Sequence, residues 1–277
     1  MKSIALGPNL ASEQLPVKVL VTFAVEAEFA PWRKRHGFAA VPTVGFRASS
    51  AKLSGAEVVV LLTGIGDSSA SVLGLQMSAF AAEHSFDLCI SSGLAGALRP
   101  QYAAGDILAA KRVQSHMVHA DTGADSLECD KGLVAAAEVC GAKAVGSFYT
   151  ANHIVVTSAE KSRLGTSADA VDMESFDVIK EAYAWGTRPI AIRAISDNSD
   201  EDLPVDFNLA LTGKGDISVG RIVGQALLHP KSVPSLIRFG KQSQKAAESL
   251  ADFLDLYISK LAQQDVAEVM QGKAVQA

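Results

Sequence analysis

Between Val17 and Ser196 the chain alternates short apolar runs with stretches whose apolar residues recur at helical spacing. "VKVLVTF" (17–23) is a β-branched run of strand length. "EAEFAPWRKR" after it has the spacing and basic end of an amphipathic helix. The pattern repeats with a buried strand at 57–62, a glycine-rich turn, and a helix predicted from about Ser68 to Glu83. "FDLCISSGLAGAL" predicts a third buried strand ending in a glycine-rich turn, and "GDILAAKRVQSH" a fourth. Residues 115–131 are polar and predict an excursion outside the sheet. Further strands are expected at 144–150, 153–157 and 188–196, with a helix between the last two.

Strands that are apolar without alternation are buried on both faces, and interleaved helices supply the cover. The expected fold is therefore α/β, a three-layer α/β/α sandwich around a mixed central β-sheet. From Asp216 onward two helical patterns remain, "DISVGRIVGQALL" and "GKQSQKAAESLADFLDLYISKLA". Pro230 and Pro234 are expected to break the helix between them. The organisation predicted is a loose extension over 1–16, one domain over 17–262 with 204–262 as a C-terminal helical extension, and a frayed tail over 263–277. Added amphipathic helices of this kind extend a pocket, form a dimer face or cap a sheet.

Composition narrows the partners. With 48% hydrophobic residues, 22 glycines and a net charge of -5, this reads as an ordinary globular chain. It carries no Lys/Arg cluster of the sort that neutralises a nucleic-acid backbone, so a small-molecule substrate is expected. Cys89, Cys129 and Cys140 form neither a CxxC nor a Cys/His spacing, which fits a reducing, cytoplasmic setting without a disulfide framework or zinc site. The first sixteen residues hold only a short apolar run, and no stretch approaches the roughly 20 residues of a membrane span, so no stable membrane anchor is expected.

Ligands of open α/β sheets sit beyond the carboxyl ends of the strands. That rule collects "AVEAE" (24–28), "TGIGDSS" (63–69), "SSGLAGA" (91–97) and "SDNSD" (196–200) around one crevice. Glycines serve any tight turn, so "TGIG" and "GLAG" by themselves leave turn geometry and anion binding both open. Glu26, Glu28 and Glu174 suit helix N-termini, and Asp197 suits a cap. Arg193, inside the apolar "AIRAIS", needs a carboxylate partner, for which Glu28, Glu174 and Asp197 are the candidates. Among the histidines, His153 falls at the crevice edge, while His36, His84 and His229 suit the surface or helix caps. His116 and His119 are spaced i, i+3 without a third ligand, which fits an exposed pair better than a metal site. Ser158 and Lys161 in "TSAEKSRL" read as an ordinary helix start.

Together, "AVEAE", "TGIGDSSAS", "GLAGAL" with "GDI", "VDMES" and "RAISDNSD" resemble, in this order over about residues 17–212, the nucleoside phosphorylase/nucleosidase superfamily. The likeness is greatest to its methylthioadenosine/S-adenosylhomocysteine nucleosidase branch. The resemblance implies hydrolysis of the N-glycosidic bond of an adenine nucleoside with no cofactor or metal, and a homodimer. It implies Asp197 as the acid that protonates the purine, Glu28 as the base that activates water, and Arg193 as a site arginine. Glu174 would hold the ribose hydroxyls, Met173 the sugar, and Ile154 and Val155 the base; Gly93, Ala95 and Gly96 would belong to the substrate surface. The segment 204–262 is similar to the hopanoid-associated phosphorylase-like subgroup, which implies an adenosylhopane-like substrate as one alternative.

Phosphorylases of this family would place an Arg at position 91 and a Ser at 94; this chain has Ser91 and Leu94, which favours water as the nucleophile. Leu94 also departs from the small polar residue expected in the nucleosidases. Two other readings stay open: a phosphorylase using Arg47, Arg99 or a partner's residue for phosphate, and a non-catalytic nucleoside-binding protein.

Overall fold

The computed structural model describes residues 16–43, 46–65, 74, 78–81, 83–115, 125–212 and 217–274, with side chains to Gln263. Strands β1 (Lys18–Phe23), β4 (Ala56–Leu62), β5 (Leu88–Ala97) and β10 (Arg188–Asp197) are the apolar runs, buried over nearly all their length. β6 (Ile107–Ser115) and β8 (Lys143–Thr150) also stand where the apolar runs predict. Four short or polar strands were not signalled by apolar runs: β2 (Ala39–Val41), β3 (Arg47–Leu53), β7 (Ser126–Glu128) and β9 (Ala170–Asp172).

All ten join one mixed sheet in the order β10-β6-β8-β9-β5-β1-β4-β3-β2, with β7 on β6. β10 pairs with β5 as well, so that β5, β10, β6, β8 and β9 close into a ring. β1 and β10 both run parallel to β5, which brings their carboxyl ends to one edge. That edge carries the crevice.

Helices α1 (Glu26–Arg35), α2 (Lys131–Val139), α3 (Ser158–Leu164), α4 (Ser175–Ala184), α5 (Val219–Leu228) and α6 (Val233–Ala274) complete the described elements, with helical residues also at 78–81 and 83–84. α2 went unpredicted because it lies next to the polar stretch 115–131. The excursion itself is in part a strand, since Ser126–Glu128 pairs with β6; His116 and His119 lie outside the described residues. The expected strand at 153–157 is an irregular segment. Its Ile154 and Val155 face a cavity rather than a ladder.

At the C-terminus, Pro234 falls in the first turn of α6, where a missing N–H breaks no helical bond, so only the 3-10 turn Pro230–Ser232 interrupts the helices. α6 extends to Ala274. α6 caps the sheet with Ala246, Leu250, Leu254, Tyr257 and Leu261, a buried stripe at helical spacing. Trp32 Nε1 and His36 Nε2 both reach Asp255 Oδ1, at 2.6 and 2.7 Å, and tie α6 to α1.

Candidate active site

At the carboxyl ends of β1, β5 and β10 lies a cavity of about 470 Å³. Glu28, Met173, Glu174, Ile154, Val155, Ala95, Gly96, His153 and Asp197 all line it, from elements scattered along the chain. Phe207 and Ile217 come from the C-terminal extension, as do Phe239, Gly240, Ser243 and Gln244 of α6, with Leu203 just ahead of that extension. The extension therefore both caps the sheet and builds one wall of the cavity.

Glu28 sits one turn into α1 and bends back over the loop. Its Oε2 accepts from Ala24 N and Val25 N at 3.0 and 3.3 Å, and its Oε1 from Leu94 N at 2.9 Å. Burial raises its pKa, outweighing these three bonds and the Arg193 charge, which lower it. A carboxylate so placed is a stronger base than a free one. Gly93 explains why it fits. With φ at +149° and an added Cβ falling 3.1 Å from Glu28 Oε1, a side chain at position 93 would be strained and would press on the carboxylate.

The same device serves Asp197. An added Cβ at Gly96 would lie 3.1 Å from Asp197 Oδ2. β10 bulges against β5 between Ile195 and Asp197, which turns the carboxylate to face Gly96. Gly93 and Gly96 thus stand within β5 rather than in the expected turn after it, and they make room for carboxylates.

Asp197 is bound on both oxygens. Lys161 Nζ donates to Oδ2 at 2.6 Å, and Ser196 Oγ lies 2.6 Å from Oδ1 and 3.2 Å from Ala95 O. Lys161 is fully buried, with its remaining donors on Asn198 O and Glu201 O at 2.8 and 2.9 Å. The sequence reading of Lys161 as part of a helix start holds for its backbone only. A lysine three residues inside a short amphipathic helix gives no local sign of burial; only the fold places α3 behind Asp197.

Glu174 is the N-cap residue of α4, yet its side chain makes no capping bond. Asp172 takes that role: its Oδ1 accepts from Glu174 N and Ser175 N at 3.2 and 3.1 Å, and Ser175 Oγ donates to Oδ2. Thr150 Oγ1 adds a bond from Phe176 N at 3.0 Å. The Glu174 carboxyl is left to the cavity. Burial pushes its pKa up to about 8, helped by the like charges of Asp172 and Glu28 and opposed by Arg193.

Arg193 finds a partner that the sequence reading did not name. Its Nε lies 3.0 Å from Asp172 Oδ2 without the alignment of a hydrogen bond, so charge chiefly holds the pair. Nη2 donates to Ser91 Oγ at 3.1 Å and Nη1 to Ile192 O at 3.0 Å. Arg193 does not line the cavity, and neither do Gly93 and Ser91, whereas Leu94 does. Arg193 acts from behind the wall, on Asp172 and through charge on Glu28 and Glu174.

The segment that carries Ile154 is pinned by one amide. Asn208 Oδ1 accepts from Ile154 N and Asn208 Nδ2 donates to Ile154 O, both at 2.8 Å, as a neighbouring strand would do. Phe207 and Phe239 form an aromatic corner with ring centroids 5.2 Å apart. His153 Nε2 lies 3.0 Å from Glu160 Oε1 at the rim.

Comparison with known proteins follows the same lines. The family model described as the phosphorylase superfamily matches residues 18–227. The 5'-methylthioadenosine/S-adenosylhomocysteine nucleosidase of Shewanella halifaxensis is 27% identical over 201 residues, 65% of this chain and 85% of its own. That of Shewanella frigidimarina is 28% identical over 185 residues, 59% and 78% of the two chains. Among solved structures, the Helicobacter pylori 5'-methylthioadenosine/S-adenosylhomocysteine nucleosidase with butyl-thio-DADMe-Immucillin-A superposes with a TM-score of 0.67 at 21% identity, over 88% of this chain and 99% of that one. The futalosine hydrolase of the same organism gives 0.66 at 20% identity, over 87% and 97%. These structures share the fold, an α/β sandwich around a mixed sheet. With the family model spanning three-quarters of its length, the chain belongs to the phosphorylase superfamily.

Proposed function

We propose that the chain is an N-glycosidase that hydrolyses an adenine nucleoside. One observation carries water over phosphate as the nucleophile. Among the described residues that line the cavity there is no Arg or Lys, while Glu28, Asp172, Glu174 and Asp197 are all there. A phosphate dianion would meet acidic side chains and an apolar wall, whereas carboxylate charge that develops there, as when Asp197 gives up its proton, suits a cationic transition state. Arg47 and Arg99 do not line the cavity, and Arg99 is held by Ala168 O and Asp169.

In this reading the C–N bond breaks toward an oxocarbenium-like sugar as Asp197 gives a proton to the purine. Glu28 takes the proton of the attacking water, and Glu174 binds the ribose hydroxyls beside Met173. Ile154, Val155 and the Phe207–Phe239 corner enclose apolar parts of the substrate. Ser196 suits either protonation state of Asp197: its hydroxyl donates to an ionised Oδ1, or receives from a protonated Oδ1 and turns to Ala95 O. Lys161 balances the charge from behind and Arg193 positions Asp172.

Incubation with methylthioadenosine, S-adenosylhomocysteine, adenosine and adenosylhopane, with and without phosphate, tests the reading by mass spectrometry. Free adenine and the unphosphorylated sugar are expected in both buffers. A sugar 1-phosphate formed only with phosphate would make the chain a phosphorylase. Binding without turnover would make it a nucleoside-binding protein.

A further inference from the structure

α5 contributes no buried side chain to the fold. It is held by polar bonds: Gln225 Oε1 accepts from Asp206 N at 3.1 Å and Gln225 Nε2 donates to Asp206 O at 2.8 Å, while Arg221 Nη1 donates to Leu211 O at 2.7 Å. Its apolar residues Val219, Val223, Leu227 and Leu228 are 72, 49, 76 and 78% exposed, and Val233 and Ile237 at the start of α6 extend them at 38 and 56%. Among the described residues this is where large exposed apolar side chains concentrate.

The segment is also cationic in an acidic chain. From Ile217 to Ala247 it holds Arg221, Lys231, Arg238, Lys241 and Lys245 and no Asp or Glu, against a net charge of -5 overall. Among the described residues, Arg238 alone of these is offset by a carboxylate, Glu201 at 3.4 Å. A groove floored by Pro234 and Ile237 is flanked by Arg238, Lys241 and Lys245. Exposed leucines beside lysines, with no anions between them, suit the boundary of a bilayer with anionic headgroups. A second copy fits less well, since a two-fold contact would set these cations against themselves.

We propose that the α5 face and the first turns of α6 dock on an anionic lipid surface. Phe239 lines the cavity while Arg238 and Lys241 beside it line the groove, so the docking face and the cavity share one helix. The inference does not rest on the nucleosidase reading, because its test measures lipid binding and not turnover.

Flotation of the full chain with phosphatidylcholine vesicles, with and without phosphatidylglycerol, is the experiment. Binding is expected to the anionic vesicles and to weaken at high salt. Changing Leu227→Asp with Leu228→Asp should lower partitioning by roughly tenfold per leucine. Lys231→Glu, Lys241→Glu and Lys245→Glu should lower it by roughly fivefold each. Neither set touches a buried contact, so circular dichroism and thermal unfolding should match the parent. Failure to float with anionic vesicles overturns the proposal, as does binding that survives both sets. Self-association in sedimentation velocity that the leucine changes abolish, without lipid binding, would assign the face to a second copy instead.

Discussion

Lys161 Nζ lies 2.6 Å from Asp197 Oδ2, and both residues are buried. The ammonium has no solvent on any side; its three donors end on one carboxylate and two carbonyls. Removing one partner of such a pair costs about 3–5 kcal/mol because the other charge is stranded. Lys161→Met is therefore expected to lose stability on that scale together with most turnover. The double variant Lys161→Met, Asp197→Asn should be more stable than Lys161→Met alone in thermal unfolding. If the double change is merely additive, the two residues are not coupled as described.

Asp197→Asn removes the transferable proton while keeping the shape. A general acid contributes typically 10²–10⁴-fold, and a loss in kcat of that order is expected. Wild-type turnover by a folded variant would exclude Asp197 from proton transfer.

The two glycines of β5 should separate in their effects. Gly93→Ala meets a backbone at φ +149° and the Glu28 carboxylate at once, so destabilisation of about 1–3 kcal/mol should accompany loss of activity. Gly96→Ala presses only on Asp197 Oδ2 and Val171 Cγ1, so kcat should fall with a smaller change in the unfolding temperature. Equal unfolding temperatures for the two variants would contradict the strain assigned to position 93.

Glu174 predicts a pH dependence of stability. Its pKa is raised from 4.5 to about 8, so the folded state binds the proton more tightly than the unfolded one. Its contribution is complete below the unfolded value, declines as pH rises between the two, and is lost above about 8. Glu174→Gln should flatten the profile in that window and raise the unfolding temperature at alkaline pH, by roughly 2–4 °C per kcal/mol relieved in a chain of this size. A parallel downward shift of the whole profile would reject this assignment. In turnover, Glu174→Ala should erase the preference for ribosides over their 2′-deoxy analogues.

The strand-and-helix order was legible in the sequence wherever an element is apolar and local. β1, β5, β10 and α1 stand where their runs predict, because burial on both faces leaves a continuous apolar signature. The short strands β2, β7 and β9 carry no such signature. They are defined by backbone pairing, β2 and β7 with the preceding or following strand and β9 with β5 far away in sequence, which single-residue patterns do not encode. The apolar run 153–157 misled for the converse reason: Ile154 and Val155 face a cavity, and the Ile154 backbone is satisfied by Asn208 instead of a ladder.

The site divides in the same way. "AVEAE", "VDMES" and "AISDNSD" are local, because each sets a carboxylate at a strand end where the chain must turn, and the sequence alone pointed to Glu28, Glu174 and Asp197 around one crevice. Tertiary structure decided the pairing. Arg193 reaches Asp172 rather than those three, and Lys161 closes on Asp197, because strand register and the placement of α3 set which charges share a buried volume. It also decided that Gly93 and Gly96 yield space to carboxylates, and that the C-terminal extension builds a cavity wall with one half of α6 and caps the sheet with the other. Long-range contacts are fixed by packing the whole chain at once, and no local pattern carries them.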